Sequence, residues 1–304
     1  MTDWQKIIDQ CNLFWQYPVS TEKQFYVQNN YFPEYLGFPW ATVLDKNINL
    51  NEVENYIKQN IDPDIEYYTC CQHIRFRELE SILFNLNVKK LYTPHKCIGE
   101  GRLGDIELLA CPLFAVNYED STRNSVFKEK DLIEMKRPLL FSFMGGLQPG
   151  YLTDIRERIF KMNKKQDVFI ENTGGWHFNN IVYTNLQNFE QEENVSIEHK
   201  GGTQRYNEVM MNSRFSLCPS GTGPNSIRFW ESLAIGTIPV LFSDTLELPH
   251  HELWENSIVR VEENKISDLY DILEKITPEE ETELKKNCIR IYNFFRFNYR
   301  GEKI

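Results

Sequence analysis

The sequence predicts an α/β protein with largely parallel sheets, organised as two domains. Short apolar runs alternate with helical or loop segments along the chain, and this order of elements favours parallel sheets. A length of 304 residues allows two domains, with a single domain as the alternative. Hydrophobic residues make up 41% of the chain, so there is enough apolar material for a buried core.

The first half predicts strands in alternation with helices. The apolar periodicity distinguishes the two kinds of element, because helices repeat near 3.6 residues and strands near two. In chain order the predicted elements are a helix at 50–59, a strand at 65–71, a helix at 77–85, a short strand at 90–93, a glycine-rich loop at 100–105 and a strand at 106–116 that bends at Pro112.

The second half repeats this alternation with clearer start and stop signals. Thr277 and the acidic residues that follow it are typical of a helix N-terminus. The predicted elements are a strand at 138–144, a helix at 153–162, a strand at 167–171, a polar excursion at 185–203, a helix at 206–213, a strand at 215–218, a helix at 227–234, a strand at 238–242, and helices at 269–276 and 278–297.

A charged, glycine-free segment at 127–137 predicts the boundary between the domains. We place the boundary after residue 136, which gives an N-terminal domain at 1–136 and a C-terminal domain at 137–304. The last helix, at about 278–298, has a dense aromatic side. We expect this helix to pack back onto the N-terminal domain.

Charge and composition argue against several classes of protein. The formal net charge is -11 and no cluster of Lys and Arg stands out, so we expect no nucleic-acid partner. The cysteines number seven and form no CxxC pair, which favours free thiols in a reducing compartment. The N-terminus does not resemble a signal peptide, and no long apolar run occurs. We therefore expect a cytoplasmic protein without a membrane span.

The stretch at 215–244 carries most of the functional information. It predicts a strand, a loop with two glycines, a helix that Asn225 or Ser226 can cap, a tight turn and a second strand. A loop and a helix N-terminus directly after a strand present free N–H groups and the positive end of the helix dipole. Arg228 adds a positive charge in the first turn of that helix. The segment is therefore suited to an anionic ligand such as a diphosphate.

The same stretch permits other interpretations. Gly221-Thr-Gly223 resembles the start of a GxGxxG fingerprint, and Asp244 ends the next strand, as in a nicotinamide-binding Rossmann domain. A plain βαβ turn without a ligand is the structural alternative. Arg228 and Glu231 lie three residues apart on one helix face. They form either a local ion pair or the ligands of a diphosphate and of ribose hydroxyls.

Groups for proton transfer are expected at the strand ends of the first half, because the carboxyl ends of parallel strands line the ligand crevice of an open sheet. His73 and His95 both follow predicted strands, and a histidine can act as a general base near neutral pH. Glu100 and Asp105 are further candidates for the base. A hydrogen-bonded structural role is the alternative for each histidine.

The sequence contains no strong metal signature. Asp62-Pro-Asp64 is a literal DxD, a spacing that can hold a divalent ion beside a diphosphate. Its place in a loop that enters a strand favours a turn instead.

An ordered series of motifs runs through the second half. The series consists of Arg137-Pro-Leu-Leu-Phe-Ser-Phe-Met-Gly-Gly146, Ser213-Arg-Phe-Ser-Leu-Cys-Pro219, Ser226-Ile-Arg-Phe-Trp-Glu231, Gly236-Thr-Ile-Pro-Val240, Ser243-Asp244 and Leu248-Pro249. In this order the motifs resemble the exostosin-like glycosyltransferases. The resemblance covers 138–276, and the first half of the chain matches only loosely.

The resemblance implies a GT-B architecture, in which two Rossmann-like domains face each other across a cleft. It implies inverting transfer of a sugar from a nucleoside diphosphate, with a UDP-sugar as the expected donor, to a saccharide acceptor in glycan synthesis. It implies no obligatory metal or other cofactor. The lack of an N-terminal anchor points to a bacterial or viral cytoplasmic enzyme. A nucleotide- or sugar-binding module without catalysis is the alternative.

The resemblance also assigns site residues by position. It places the acceptor on the N-terminal domain, and the base is expected there too; His73, His95, Glu100 and Asp105 are candidates by residue type and position, not by the resemblance. Arg228 would stabilise the leaving diphosphate, and Glu231 would bind the ribose. The residues expected to bind the donor are Gly145, Gly146, Ser220, Gly221, Thr222, Gly223, Ser226, Arg228, Glu231 and Asp244. Ser220 departs from the pattern, because many exostosin-like proteins carry a basic residue there.

Overall fold

A computed structural model describes residues 3–128, 130–175, 177–178 and 197–298. The chain forms two compact units. The first contains the residues up to Leu113 together with Leu246–His250, and the second contains Phe114–Thr245 and His251–Asn298. Of the predicted polar excursion at 185–203, residues 185–196 lie outside the described residues, and the rest belongs to a helix.

The first unit consists of helices and a mixed sheet. Its strand order is β1-β2-β4-β3; the first three strands are parallel, and β3 is antiparallel to β4. The elements are α1 (Trp4–Gln10), α2 (Thr21–Asn29), α3 (Trp40–Asp45), α4 (Leu50–Lys58), β1 (Tyr67–Cys70), α5 (Glu80–Asn85), β2 (Val88–Thr93), β3 (Arg102–Leu103) and β4 (Ile106–Ala110).

The core of the first unit lies between this sheet and its helices. Leu91 and Leu108, on neighbouring strands, are buried together with Phe76. Trp40 is fully buried and donates its indole N–H to Thr69 Oγ1 of β1 at 2.9 Å. Burial of such side chains contributes about 25 cal/mol per Å² of apolar surface and holds the helices on the sheet.

The second unit is built on a parallel sheet of order β6-β5-β7-β8-β9. The segment β7-α10-β8 is a βαβ unit. The elements are α6 (Val116–Glu119), α7 (Ser125–Lys128), β5 (Leu139–Gly145), α8 (Ile155–Phe160), β6 (Val168–Asn172), α9 (Ile197–Met211), β7 (Ser213–Pro219), α10 (Ile227–Ala234), β8 (Ile238–Phe242), β9 (Val259–Arg260), α11 (Leu269–Glu274) and α12 (Pro278–Phe297).

The segment at 114–136 belongs to the second unit, whereas the sequence placed it in the N-terminal domain. Its hydrogen bonds explain this difference. The Asn117 N–H donates to Glu231 of α10 at 3.2 Å, and Asn207 of α9 donates to the Arg123 carbonyl at 2.9 Å. These bonds tie the segment to helices that follow it by many residues.

The last helix, α12, packs within the second unit. Its Phe295 ring lies against Trp230 of α10, with ring centroids 5.7 Å apart. Tyr292 donates to Glu119 Oε1 at 2.5 Å. Glu119 lies within 1–136, the predicted N-terminal domain, so this contact agrees with the expected packing of the last helix. The structure places Glu119 in the second unit, so the helix packs within that unit.

Buried Arg137 joins the ends of two helices in this unit. Its guanidinium donates to the Met211 carbonyl at 2.8 Å and to the Ile235 carbonyl at 2.7 Å, where α9 and α10 end. The last carbonyls of a helix have no partner within the helix and carry partial negative charge. A buried guanidinium therefore satisfies both ends at once.

Candidate functional site

The candidate site lies at the carboxyl edge of the parallel sheet in the second unit. The described strands of this sheet run in one direction, so the loops that follow them emerge at one edge. Ligands of open α/β sheets bind at this edge. The structure places three predicted segments there: Gly145-Gly146 at the end of β5, the loop at 220–226 after β7, and Asp244 after β8.

Gly145, Gly146 and Gly221 have little room for a side chain. A Cβ atom at Gly146 would lie 2.5 Å from the carbonyl oxygen of Gly175, in the loop after β6. A Cβ at Gly145 would lie 3.2 Å from Arg228 Nη2, and one at Gly221 would lie 3.2 Å from a guanidinium nitrogen on α8. The backbone of Gly175 therefore requires glycine at 146, whereas at 145 and 221 a side chain would have to displace a guanidinium group slightly.

Arg228 places its guanidinium beside two aromatic rings. Its Cζ lies 4.5 Å from the centroid of Phe143 and 5.2 Å from that of Tyr206, both within cation–π range. One terminal nitrogen donates to the Met144 carbonyl at the end of β5. Nε is buried and has no hydrogen-bond partner among the described residues. An unpaired buried donor costs about 1–3 kcal/mol, which a ligand oxygen would relieve.

A second guanidinium, that of Arg156 in α8, lies at the same edge. Its Nε donates to the Ser220 carbonyl at 2.8 Å, and Nη1 donates to the Gly146 carbonyl at 3.1 Å. Its Cζ is 5.6 Å from the centroid of Phe143, the ring that Arg228 also approaches. Burial, with a smaller contribution from the charge of Arg228, lowers the pKa of Arg156 to about 10. Arg156 remains charged at neutral pH.

These two positive charges stand without a carboxylate partner among the residues that the structure describes. In the described part of the chain, no Asp or Glu oxygen lies within 4.0 Å of either guanidinium. Buried charges are normally paired, because transfer out of water is costly. The edge therefore has a positive charge that an anion would balance. Sequence reasoning missed Arg156; its place in the helix that follows β5 was the available signal.

Glu231 lies deeper than the ribose role requires. Its side chain is 3% exposed. Oε1 accepts the Asn117 N–H at 3.2 Å, and Oε2 accepts the Tyr206 hydroxyl at 2.7 Å. Burial raises the pKa of Glu231, although the Tyr206 and Asn117 bonds oppose the shift. No ion pair joins Glu231 to Arg228 in the part of the chain that the structure describes.

In the loop after β7, the first side chain, that of Ser220, points into the interior of the unit. Ser220 is buried, and its hydroxyl donates to Glu263 Oε1 at 3.3 Å and lies 3.3 Å from Thr153 Oγ1. Asp244 accepts the Glu263 N–H at 3.1 Å. Ser220 and Asp244 thus meet at Glu263, which the sequence analysis did not select.

The remaining loop residues present backbone and one exposed side chain. Thr222 is exposed, and the Gly221 N–H donates to the Gly223 carbonyl at 2.9 Å. Ser226 occupies the N-cap position of α10, as predicted, but its side chain makes no capping bond there. The first N–H groups of α10 therefore have no side-chain cap from Ser226.

In the first unit, His73 and His95 follow neighbouring parallel strands, as predicted. His73 Nδ1 accepts the Arg75 N–H at 3.0 Å, so Nε2 carries the proton toward Asp45 Oδ1 at 2.7 Å. His95 is buried, and its Nδ1 has no partner among the described residues. Burial, with a smaller contribution from nearby His73, lowers the pKa of His95 to about 3. His95 is therefore neutral, with one ring nitrogen unused among the described residues.

Asp105 does not join the histidines. It lies in the exposed turn between β3 and β4, at the amino end of β4. Because β2 and β4 are parallel, this end lies at the edge opposite the one reached by His95. The grouping of Asp105 with the histidines is therefore wrong. Glu100 is engaged elsewhere, in an ion pair with Arg77 at 2.6 Å.

A buried carboxyl that the sequence did not reveal lies near His73. Glu22 of α2 is 1% exposed. It accepts the backbone N–H groups of Ala41 at 3.0 Å and of Gln72 at 3.1 Å. Burial raises the pKa of Glu22 to about 8. The residue holds α3 and the end of β1 together.

The DxD segment forms a turn, as expected. Asp62 Oδ1 accepts the Asp64 N–H at 2.9 Å. Within the described ranges, no three His, Cys, Asp or Glu side chains gather as a metal site would require.

None of the described helices combines the length and apolar character needed to cross a membrane.

The fold and site define a mixed α/β protein with two guanidinium groups at the carboxyl edge of a parallel sheet, neither of them ion-paired within the described residues. Residues 98–276 match the exostosin GT47 domain. The chain belongs to this glycosyltransferase family. The match confirms the resemblance seen in the motifs, and it leaves the nicotinamide-binding alternative without support.

Curated relatives agree with this assignment. The chain is 26% identical over 191 residues to an exostosin-1 homolog of Caenorhabditis elegans, covering 62% of this chain and 48% of that protein. It is 31% identical over 118 residues to a "Probable glycosyltransferase" of Arabidopsis thaliana, covering 37% and 23%. A "Probable glucuronoxylan glucuronosyltransferase" of the same plant is 27% identical over 125 residues, covering 40% and 28%. The chain thus spans about half, or less, of the length of these relatives.

Proposed function

We propose that this protein transfers a sugar from a nucleoside diphosphate to a saccharide acceptor in glycan synthesis, with inversion at the anomeric carbon. The observation that carries the proposal is the pair of guanidinium groups, Arg156 and Arg228, that share the Phe143 ring and have no carboxylate within 4.0 Å in the described chain. A diphosphate supplies the negative charge that this pair lacks.

The pair also suits the chemical step. The acceptor hydroxyl oxygen forms a bond to C1 of the sugar while the bond from C1 to the phosphate oxygen breaks, and that electron pair leaves with the diphosphate. Positive groups that are already oriented stabilise this developing charge. Arg156 is held by two carbonyls and Arg228 by one, so both are fixed before the donor binds. The proposed reaction accordingly needs no obligatory metal.

The acceptor proton must go to a base, and we propose that the first unit supplies it. His73 and His95 are the candidates that share a sheet edge. His73 uses both ring nitrogens in hydrogen bonds, whereas His95 retains an unpaired Nδ1. A group with a pKa of about 3 is in the correct protonation state at neutral pH but is a weak base.

The proposed donor is a UDP-sugar, and the proposed architecture is GT-B, with two Rossmann-like domains facing across a cleft. The parallel strands in each unit support this architecture. Because several relatives are named as glucuronosyltransferases, UDP-glucuronic acid is the first donor to test.

The test measures thermal stabilisation and sugar transfer in parallel. Wild-type protein is heated with UDP, GDP and pyrophosphate, each with magnesium or EDTA, and is then assayed with UDP-sugars and oligosaccharide acceptors. We expect stabilisation by UDP in EDTA, loss of this effect in Arg228→Ala, and no change in Asp62→Ala, a turn residue remote in sequence from the site.

Failure of every nucleoside diphosphate to stabilise the protein would refute the donor site. Binding of UDP without transfer or donor hydrolysis would instead favour the non-catalytic module.

A further inference from the structure

We infer that Glu22 is a positioning residue for the Asp45–His73 pair of the first unit, and that loss of the proton from its buried carboxyl slows sugar transfer at alkaline pH. The part that concerns transfer rests on the proposed function, in which the first unit supplies the base. The part that concerns the pair rests on the hydrogen bonds of the first unit.

The Asp45–His73 pair is partly open to solvent at the carboxyl edge of the first sheet. The His73 and Asp45 side chains are 13% and 10% exposed, and the ring donates from Nε2 to Asp45 Oδ1 at 2.7 Å. The neighbouring His95 is buried and neutral. The state of the Asp45–His73 pair therefore has the more direct effect on proton uptake at this edge.

Glu22 holds both members of the pair through the backbone. Its Oε1 accepts the N–H of Ala41 at 3.0 Å, and Ala41 lies in α3, the helix that ends at Asp45. The same oxygen accepts the N–H of Gln72 at 3.1 Å, and Gln72 directly precedes His73. One carboxyl thus fixes the helix that carries the aspartate and the segment that carries the histidine.

A second connection between Glu22 and Asp45 runs through side chains. The Glu22 N–H donates to Gln72 Oε1 at 2.9 Å, and Gln72 Nε2 donates to Gln16 Oε1 at 3.0 Å. Gln16 Nε2 in turn donates to Asp45 Oδ2. Because α3 leads back from Asp45 to Ala41, these bonds form a closed cycle that starts and ends at Glu22. Asp45 is therefore held from both of its oxygens and from its own helix.

The carboxyl of Glu22 can change its charge, which a purely structural hydrogen-bond acceptor would not need to do. It is 1% exposed. Burial, with a small contribution from the charge of Asp45, raises the pKa of Glu22 to about 8, so the residue holds a proton at neutral pH. The titratable groups that face Glu22 are Asp45 of α3, Cys70 at the end of β1, the adjacent Cys71, and Tyr35.

The pair has charged neighbours of its own. His95 acts on His73, and Arg75 donates its backbone N–H to the His73 ring and its guanidinium to the Leu44 carbonyl. Loss of the Glu22 proton adds a second negative charge near Asp45. Nearby carboxylates repel each other, so this charge disturbs the bond by which Asp45 orients the ring. Transfer should therefore be fastest while Glu22 keeps its proton.

The first experiment follows the His73 ring by NMR and requires no substrate. Full-length protein with labelled histidine is titrated as wild type, as Glu22→Gln and as the exposed control Glu66→Gln, and the His73 signals are assigned by their loss in His73→Asn. In wild type and in Glu66→Gln we expect these signals to shift with a midpoint near pH 8. Glu22→Gln should lack this transition, because its amide oxygen accepts the same N–H groups and carries no charge.

The second experiment measures kcat for transfer from a UDP-sugar as a function of pH. For wild type and Glu66→Gln we expect a fall of about tenfold between pH 7 and pH 9, as for loss of one proton near pH 8. In Glu22→Gln the two rates should agree within about twofold. If Glu22 acts through Asp45, Glu22→Gln should have no further effect on the pH profile in an Asp45→Asn background.

Persistence of the transition near pH 8 in Glu22→Gln would overturn the inference, as would wild-type His73 signals that do not change in this range. If Glu22→Gln does not fold, Asp45→Asn takes its place, and the same persistence there would also overturn it. If the transition at His73 depends on Glu22 but no sugar is transferred at any pH, the proposed function fails and the role of Glu22 toward the pair stands.

Discussion

Burial and partners, more than residue type, decide what each charged side chain of this protein can do. Arg228 and Glu231 are three residues apart on one helix, yet one has an unpaired nitrogen and the other uses both oxygens. The sequence predicted that both side chains matter at the site. It could not distinguish their roles, because the partners Tyr206 and Asn117 come from distant parts of the chain. Arg156 was missed although it lies in the helix that follows β5, because its partner Ser220 is distant in sequence.

The buried carboxyl of Glu22 should make stability depend on pH. Its pKa is raised to about 8 in the folded state, from an ordinary value of 4.5. Below pH 4.5 both states hold the proton; between 4.5 and 8 only the folded state holds it. Stability should therefore fall as pH rises through this window. We expect Glu22→Gln to flatten the dependence in urea denaturation at pH 5 to 8.

The exposed carboxyl Glu66 provides the matched control for this measurement. Glu66→Gln should retain the wild-type slope of stability against pH. If Glu22→Gln retains that slope as well, the raised pKa of Glu22 is wrong.

At the scale of elements, the sequence predicted the bounds of helices and strands best where local start and stop signals were strong. The bounds of α10 and β8 are those expected, Gly236 adopts a left-handed φ of +65° as a helix terminator, and Thr277 forms a capping box at α12. Helices α1, α2 and α3 were not predicted. They are short, and burial against the rest of the unit holds them in place more than any periodic pattern of their own.

The capping of α9 and α10 by Arg137 should contribute strongly to stability. The guanidinium donates to both helix ends and to Thr237 Oγ1. Burial lowers its pKa to about 10, so it is charged at neutral pH. We expect Arg137→Met to lower the free energy of unfolding by about 3 kcal/mol, as expected for buried hydrogen bonds to a charged group. Chemical denaturation measures this loss.

The adjacent Lys136 is exposed, so Lys136→Met gives a matched change of charge without lost helix caps. It should cost less than about 0.5 kcal/mol, the usual range for surface substitutions. Similar losses in the two variants would contradict the capping role.

At the scale of the whole molecule, the chain changes units more than once. The segment Leu246–His250 belongs to the first unit, where Leu246 forms a bridge with Cys97 and Glu247 pairs with Lys96 at 2.6 Å. No local pattern predicts such a return, because it depends on contacts between residues about 150 positions apart in sequence. The parallel α/β class was predictable, since alternation of elements is a property of the whole chain.

The net charge of -11 has a consequence for donor binding. A negative protein repels a negative nucleotide at long range, and the local pair at Arg156 and Arg228 must overcome that repulsion. Salt screens both effects, but buried pairs are screened less. We expect the affinity for UDP to change by less than about threefold between 50 and 300 mM NaCl. A loss of tenfold or more in UDP affinity over this range of salt would place the interaction at the exposed surface.

The most direct test of the central claim is calorimetric titration of pyrophosphate in EDTA into wild type, Arg156→Ala, Arg228→Ala and the double variant. The claim is that two guanidinium groups, neither of them ion-paired within the described residues, bind the diphosphate without a metal. We predict that each single variant weakens binding by about tenfold or more, that the double variant shows no binding, and that Asp62→Ala matches wild type. Wild-type affinity in the double variant, or binding that requires magnesium, would contradict the claim.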